Sequence, residues 1–291
     1  MRTQITLTVA EAKRIIAKGI AGLPVVKAAL ETGNIFLKGG TTVSAVCEEL
    51  TGKPMNILGR VSPRGTVTAG SNPGKFHCAL IKMGKIVDAD QTLDSTVQQL
   101  GPDDVVIIGA NAIDSHGNAA MMYGAPLGGP PGRIISGLMS ECRHVIIAAG
   151  LEKLIPGSLL DIIQKTSRNS VDLSMGMAVG LTPVVGRIVT EVESISALAD
   201  VDCFVIGKGG ISGGEGSTTL VIDGRRTHVT RINRLIESIK GSTVSGIAET
   251  LVDCEAPCPS CANHLACTYK KARKNDKGGG HGRRQGIRSS D

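Results

Sequence analysis

The stretch CEAPCPSCANHLAC places Cys254, Cys258, Cys261 and Cys267 within fourteen residues. Thiolates are soft donors, and four of them complete a tetrahedral metal site or hold an iron–sulfur cluster unaided. Pro257 and Pro259 forbid a regular helix and favour a loop that can wrap an ion. A compact run with proline beside cysteine is typical of iron–sulfur ligation, whereas zinc modules commonly show two separated C-x2-C knuckles and this run has one. The expectation is an iron–sulfur cluster on these four residues. Zinc is the alternative, and a metal-free, redox-sensing thiol cluster is the third reading. His264 is expected beside the site and not as a ligand, because four cysteines suffice. Cys47, Cys78, Cys142 and Cys203 sit in apolar stretches and are expected as small buried hydrophobes.

Three glycine-rich stretches form a second group with chemical potential. Lys38-Gly39-Gly40-Thr41-Thr42 joins an apolar run to a helix start. Glycines let amides approach an anion, a helix N-terminus adds partial positive charge, and both threonine hydroxyls can donate hydrogen bonds. GANAIDSHGN begins at Gly109 and carries Asn111, Asp114 and Asn118; GKGGISGGEGSTT carries Gly209, Gly210 and one carboxylate, Glu215. The expected ligand set is Lys38, Gly39, Gly40, Thr41, Thr42, Gly109, Asn111, Asn118, Gly209 and Gly210, with Asp114 and Glu215 as candidate catalytic carboxylates. The spacing of a Walker A loop and of the dinucleotide fingerprint is absent.

These residues need a scaffold. Thr8 with Glu11 forms a capping box, and Ile15, Ile16, Ile20 and Leu23 recur at helical spacing. Strands are expected at IFLK, NILGRV, KFHCALIKM, KIVDA, DVVIIGANAI, HVIIAAG, RIVTEV, DCFVIGKGG and TTLVIDG, alternating with helical stretches. That alternation predicts an α/β fold: a Rossmann-like, mostly parallel sheet with helices on both faces, followed by a small cysteine-rich segment. Ligands in such sheets bind outside the C-terminal strand ends, where the three glycine stretches are expected to meet.

IFLKGGTTVSAVCEEL, VVIIGANAIDSHGNAA and HVIIAAGLEKL together resemble the superfamily of ribose-5-phosphate isomerase, glucosamine-6-phosphate deaminase and the coenzyme A transferases, over about residues 30–155. The resemblance implies the fold and an anion site at the strand–glycine–threonine–helix loop. It does not carry the reaction over. The isomerases show acidic residues where this chain has Ile108, Asn111 and Ala112, and only Asp114 agrees; MMYGAPLGG also lacks their lysine. Glu215 offers a glutamate of the transferase kind, but in a different part of the chain.

The 291 residues are 41% hydrophobic and only 2% aromatic, so the core must be aliphatic. The net charge of +6 belongs entirely to residues 268–291. That basic tail is expected to be disordered, and either solubilising or a contact for nucleic acid. No secretory leader or 18-residue apolar span is apparent, so a cytoplasmic protein with reduced thiols and no membrane contact is expected. The expected organisation is an α/β ligand-binding domain over 1–240, a metal or iron–sulfur segment over 241–269 and a tail over 270–291. Its expected function is to bind, and in one reading transform, a phosphorylated, nucleotide or coenzyme A-type molecule, with the C-terminal metal or iron–sulfur centre attached; the alternative is a non-catalytic metabolite or redox sensor.

Overall fold

A computed structural model describes residues 1–68, 74–246 and 259–270. The chain begins with β1 (Arg2–Leu7), α1 (Val9–Gly22), α2 (Pro24–Thr32), β2 (Asn34–Lys38) and α3 (Thr41–Thr51). Two hairpins follow, β3 (Gly59–Ser62) with β4 (Gly65–Thr68) and β5 (Cys78–Lys82) with β6 (Lys85–Asp88), then α4 (Leu93–Gln98). The middle holds β7 (Val105–Gly109), β8 (Ala112–Ile113), β9 (Ala119–Tyr123), α5 (Pro130–Arg133), α6 (Ile135–Glu141), β10 (His144–Ala148) and α7 (Leu159–Lys165). The last elements are β11 (Gly180–Val184), β12 (Arg187–Val189), α8 (Glu191–Leu198), β13 (Val201–Gly209), β14 (Ser217–Gly224) and α9 (Arg226–Ile239).

The central sheet has the order β12-β10-β7-β2-β5-β6. Its first four strands are parallel, and β5 and β6 append an antiparallel hairpin. The near-continuous apolar runs VVII and HVIIA make β7 and β10, buried on both faces as central parallel strands must be. Ile35, Leu37, Val105, Ile107, Ile146 and Ala148 pack on one face against α1, α2 and α3. Phe36, Val106, Ile108 and Ile147 pack on the other face with Leu93, Val97 and Leu138 of α4 and α6. A second core joins the antiparallel sheet β1-β14-β13 to α1, α8 and α9 through Leu7, Ile15, Ile195, Leu220 and Ile232.

The chain is therefore mixed α/β, and the strands expected in one sheet divide among four. The reason is connection length. Parallel neighbours need a crossover of a dozen or more residues, usually helical. Only the segment 210–216 separates β13 from β14, and only Met83-Gly84 separates β5 from β6, so both pairs close as hairpins. Met83 and Gly84 both take positive φ (45° and 73°), as a tight type I′ hairpin turn requires.

α1 starts on the expected capping box. The Glu11 carboxylate accepts from the Thr8 amide and, across the chain, from the Gly241 amide and the Lys240 ammonium. The segment after α9 thereby returns to α1, and Ser245 reaches Ser44 and Glu48 on α3. Among the described residues no helix is long and apolar enough to cross a membrane.

Candidate functional site

The C-terminal ends of β2, β7, β10 and β12 share one edge of the sheet. Because β5 runs antiparallel to β2, the residue before β5, His77, lies at the same edge. The Gly39 amide donates to the His77 carbonyl at 2.7 Å. A side chain on Gly39 would collide with that carbonyl and lie 2.8 Å from the Asn56 carbonyl, so only glycine lets these backbones pass. Gly40 is the opposite case. It is the N-cap of α3, with extended backbone (φ 170°) and open space around the position of a Cβ.

Two polar groups beside this loop make no hydrogen bond or ion pair with the described residues. Lys38 is 7% exposed and makes no ion pair with any described carboxylate; its ammonium lies 5.8 Å from the Tyr123 ring centre. Burial holds its pKa below the ordinary lysine value. Thr42, in the first turn of α3, is 1% exposed, and its hydroxyl has no hydrogen-bond partner. Buried polar groups are normally satisfied, so both need an explanation.

His77 and Asp90 form an oriented pair at 3.0 Å, His77 Nδ1 to Asp90 Oδ2. Asp90 also accepts the His77 and Cys78 amides. Burial alone would raise the Asp90 carboxyl, but the bonds from His77 and Cys78 outweigh it and hold its pKa low. In the tautomer that donates Nδ1–H to an ionised Asp90, Nε2 is a proton acceptor. A surface hollow of about 350 Å³ is walled by Asp90, Thr92, Asp94, Ser95 and Arg133; His77 is not part of its lining.

The expected site residues are only partly brought together. Lys38, Gly39, Gly40, Thr41 and Thr42 form the loop described, and Gly109 ends β7, the strand next to β2. Asn111 is exposed, and its side-chain oxygen accepts the Met122 amide within the β8–β9 hairpin. Asn118 donates to Asp114 in the same hairpin. Asp114 is buried in its own turn, where it also accepts the His116 and Asn118 amides and the Leu159 amide that starts α7. The hairpin's contribution to the edge is Tyr123, not its carboxylate. Gly209 and Gly210 belong to the β13–β14 hairpin of the second sheet, and Glu215 is exposed at its tip, accepting the Gly213 amide.

Asp114 has a measurable role in stability. Burial would raise its pKa, but hydrogen bonds from Asn118, Leu159 and His116 outweigh this and hold it well below the usual carboxylate range. A depressed folded value contributes stability above the unfolded pKa of about 3.9, lost as pH falls below it. Asp114→Asn is expected to cost about 2–4 kcal/mol at neutral pH and to flatten the acid limb of the stability curve. Urea unfolding at pH 7 and pH 3 checks this; an unchanged acid limb contradicts it.

A further charged group at the edge left no sequence signal. Lys13 of α1 pairs with Glu152 at 2.8 Å, after β10. Glu152 Oε2 is buried without a partner and folds over Gly150, where a Cβ would collide with it. Glu191, fully buried at the start of α8, accepts the Leu151 amide and the Thr218 hydroxyl, and burial raises its pKa. Lys208 of β13 donates to the Leu151 carbonyl. The third glycine stretch thus reaches the edge through its strand bases.

Of the metal candidates, Cys254 and Cys258 lie outside the described residues, as does the tail beyond Lys270. Cys261 and Cys267 are buried in a segment docked on residues 174–178: the Ser174 amide donates to Ala266, and the Ala178 amide to Leu265. His264 is buried beside them, its pKa lowered by burial and then by Lys270 and Arg168. Arg168 donates to the Asn263 carbonyl, and its buried Nε has no partner. No group of three ligating side chains converges among the described residues. Cys47, Cys78 and Cys142 are buried and Cys203 is half-buried, with burial pushing their thiols up to about 11 or 12.

No family model matches this chain, and no curated protein matches it in sequence.

Proposed function

We propose that the edge formed by β2, β5 and β7 binds an anionic, phosphate-bearing small molecule, and that His77 acts on it as a general base. The observation that carries this reading is Lys38, a mostly buried side chain whose ammonium has no carboxylate partner among the described residues. A buried cation without a counter-ion is costly, and an anion delivered with the ligand removes that cost. The orphaned Thr42 hydroxyl and the first amides of α3 add donors of the kind a phosphate accepts. His77, oriented by Asp90, supplies the acid–base function that Asp114 and Glu215 do not bring to the loop. The Rossmann-like layout and the likeness to the isomerase, deaminase and transferase superfamily stay part of this proposal, without their reactions. Titration with inorganic pyrophosphate and with ribose 5-phosphate tests it: micromolar to millimolar binding that depends on Lys38 supports the site. Binding unaffected by Lys38 refutes it.

A metal centre on Cys254, Cys258, Cys261 and Cys267 is the second component, favoured by one observation. A four-thiolate centre is anionic, and the segment holding Cys261 and Cys267 is flanked by Lys270 and by Arg168, whose buried Nε is unsatisfied. Soft sulfur ligands suit iron–sulfur or zinc, and such a centre would supply electron transfer or structural closure. Protein purified without oxygen is expected to be brown with stoichiometric iron; one colourless equivalent of zinc would assign the alternative, and no metal at all would refute the centre. Iron that responds to oxidants while His77→Asn changes nothing would favour sensing over catalysis.

A further inference from the structure

A strand at the edge of a sheet leaves a row of backbone groups free to pair, and most such edges here are blunted. β12 has three residues and β8 two; β6 carries Lys85 and Asp88; β11 carries Pro183; β1 turns Arg2, Gln4 and Thr6 to solvent. β13 is the exception. It is nine residues long, the longest strand described, and among the described residues it pairs only with β14. Phe204, Val205 and Ile206 are exposed in a row, at 44%, 38% and 51%. The register with β14 assigns their sides. Cys203 lies opposite Ile222 and Val205 opposite Leu220, both core residues, so these two belong to the helix-covered face; Phe204, opposite Val221, belongs to the other. A bulge at Ile206 limits the regular run to the residues up to Val205. The free edge is thus apolar on both of its sides.

We infer that β13 pairs antiparallel with β13 of a second copy of this chain, across a two-fold axis at Phe204. Phe204 then meets Phe204 of the partner subunit on one face, and Cys203 meets the partner subunit's Val205 on the other. Apolar side chains cover apolar side chains, and the free amides and carbonyls of both edges are satisfied. Charge sets the direction. Asp202 and Lys208 are exposed toward opposite ends of the strand, and neither makes an ion pair among the described residues; Lys208 donates to the Leu151 carbonyl, which leaves its charge unneutralised. Antiparallel pairing brings the Asp202 end of each copy to the Lys208 end of the other, whereas parallel pairing would align like with like. The contact is also self-limiting. It uses the same strand of both copies and closes at two, whereas β13 against the polar β1 edge of a further copy would leave a free edge at each end.

Sedimentation equilibrium of the full chain over a concentration series, with reductant present, is the test. The wild type is expected as a reversible monomer–dimer system. Phe204→Lys places two like charges at the axis and should weaken the dimer by roughly 10-fold or more. Its far-ultraviolet circular dichroism should be unchanged, because Phe204 lies outside the core. A second measurement reads the register. Under mild oxidation Phe204→Cys should form a disulfide-linked dimer much faster than Val185→Cys, which alters a more exposed site away from β13. The wild type, with Cys203 facing the partner subunit's Val205, should not cross-link. A wild type that stays monomeric at the highest concentration, a dimer that Phe204→Lys leaves intact, or cross-linking of Phe204→Cys no faster than Val185→Cys each overturns the inference. Growth beyond the dimer overturns it too, since that is the behaviour of open-ended pairing through β1.

Discussion

Replacing Lys38 by methionine is expected to make the protein more stable and less able to bind. In the wild type Lys38 is a mostly buried side chain whose ammonium gains no counter-ion among the described residues and lies near the Tyr123 ring and Cys78. Methionine fills similar space with no charge to desolvate, so unfolding free energy should rise by about 1–3 kcal/mol. The pH dependence follows the same logic. Lys38 has a folded pKa below its unfolded value of about 10.4, so in the interval between them the unfolded chain binds more protons. Wild-type stability should therefore rise with pH across that alkaline window, and Lys38→Met should lose this rise. Affinity should move the other way. A charge-assisted contact to an anion contributes about 2–3 kcal/mol, or roughly 30- to 150-fold in Kd. Melting curves and pyrophosphate titration on the two proteins check both halves. A variant that is destabilised, or one that binds normally, contradicts the account.

The adjacent glycines Gly39 and Gly40 should respond in opposite ways. Gly39→Ala drives a methyl into the His77 carbonyl and against that of Asn56, both fixed backbone atoms. The strand end must shift, and the expected loss is about 2–4 kcal/mol, with the loop displaced from the His77–Asp90 pair. Gly40→Ala meets nothing, at a φ any residue adopts, and should change stability by less than about 1 kcal/mol. Urea midpoints decide it: similar values for the two variants would mean that the Gly39–His77 crossing is not as tight as described.

Sequence reasoning found the loop and missed what faces it, for reasons visible in particular residues. The glycine–threonine loop is local, so its strand end, N-cap and first helical turn are all legible in five consecutive residues. His77 and Asp90 are thirteen apart and meet only because the β5–β6 hairpin folds at Met83-Gly84. The observed register, Lys82 with Lys85 and Ala79 with Asp88, extends to His77 opposite Asp90. Recognising that turn would have predicted the pair. Residue type singles out Asp114, but Asp-Ser-His-Gly-Asn is also the signature of a turn whose aspartate binds its own backbone, and that local use prevails. The Lys13–Glu152 and Glu191–Thr218 contacts join helices and strands remote in sequence. Nothing in spacing or periodicity announces them. β1 escaped notice for the same reason: its partner β14 lies at the far end of the fold.

An anion held at the start of α3 is tested most directly by Gly40→Asp. Aspartate is a favoured N-cap, the position is open, and the backbone is already extended, so α3 should be stabilised by about 0.5–1 kcal/mol. The same carboxylate would stand where the anion's charge must go. Calorimetric titration of inorganic pyrophosphate into wild type and Gly40→Asp is the measurement. The account predicts saturable binding to the wild type and a loss of at least 30-fold in a variant that melts no lower. Equal affinity in both proteins, or no anion binding to the wild type, would contradict it.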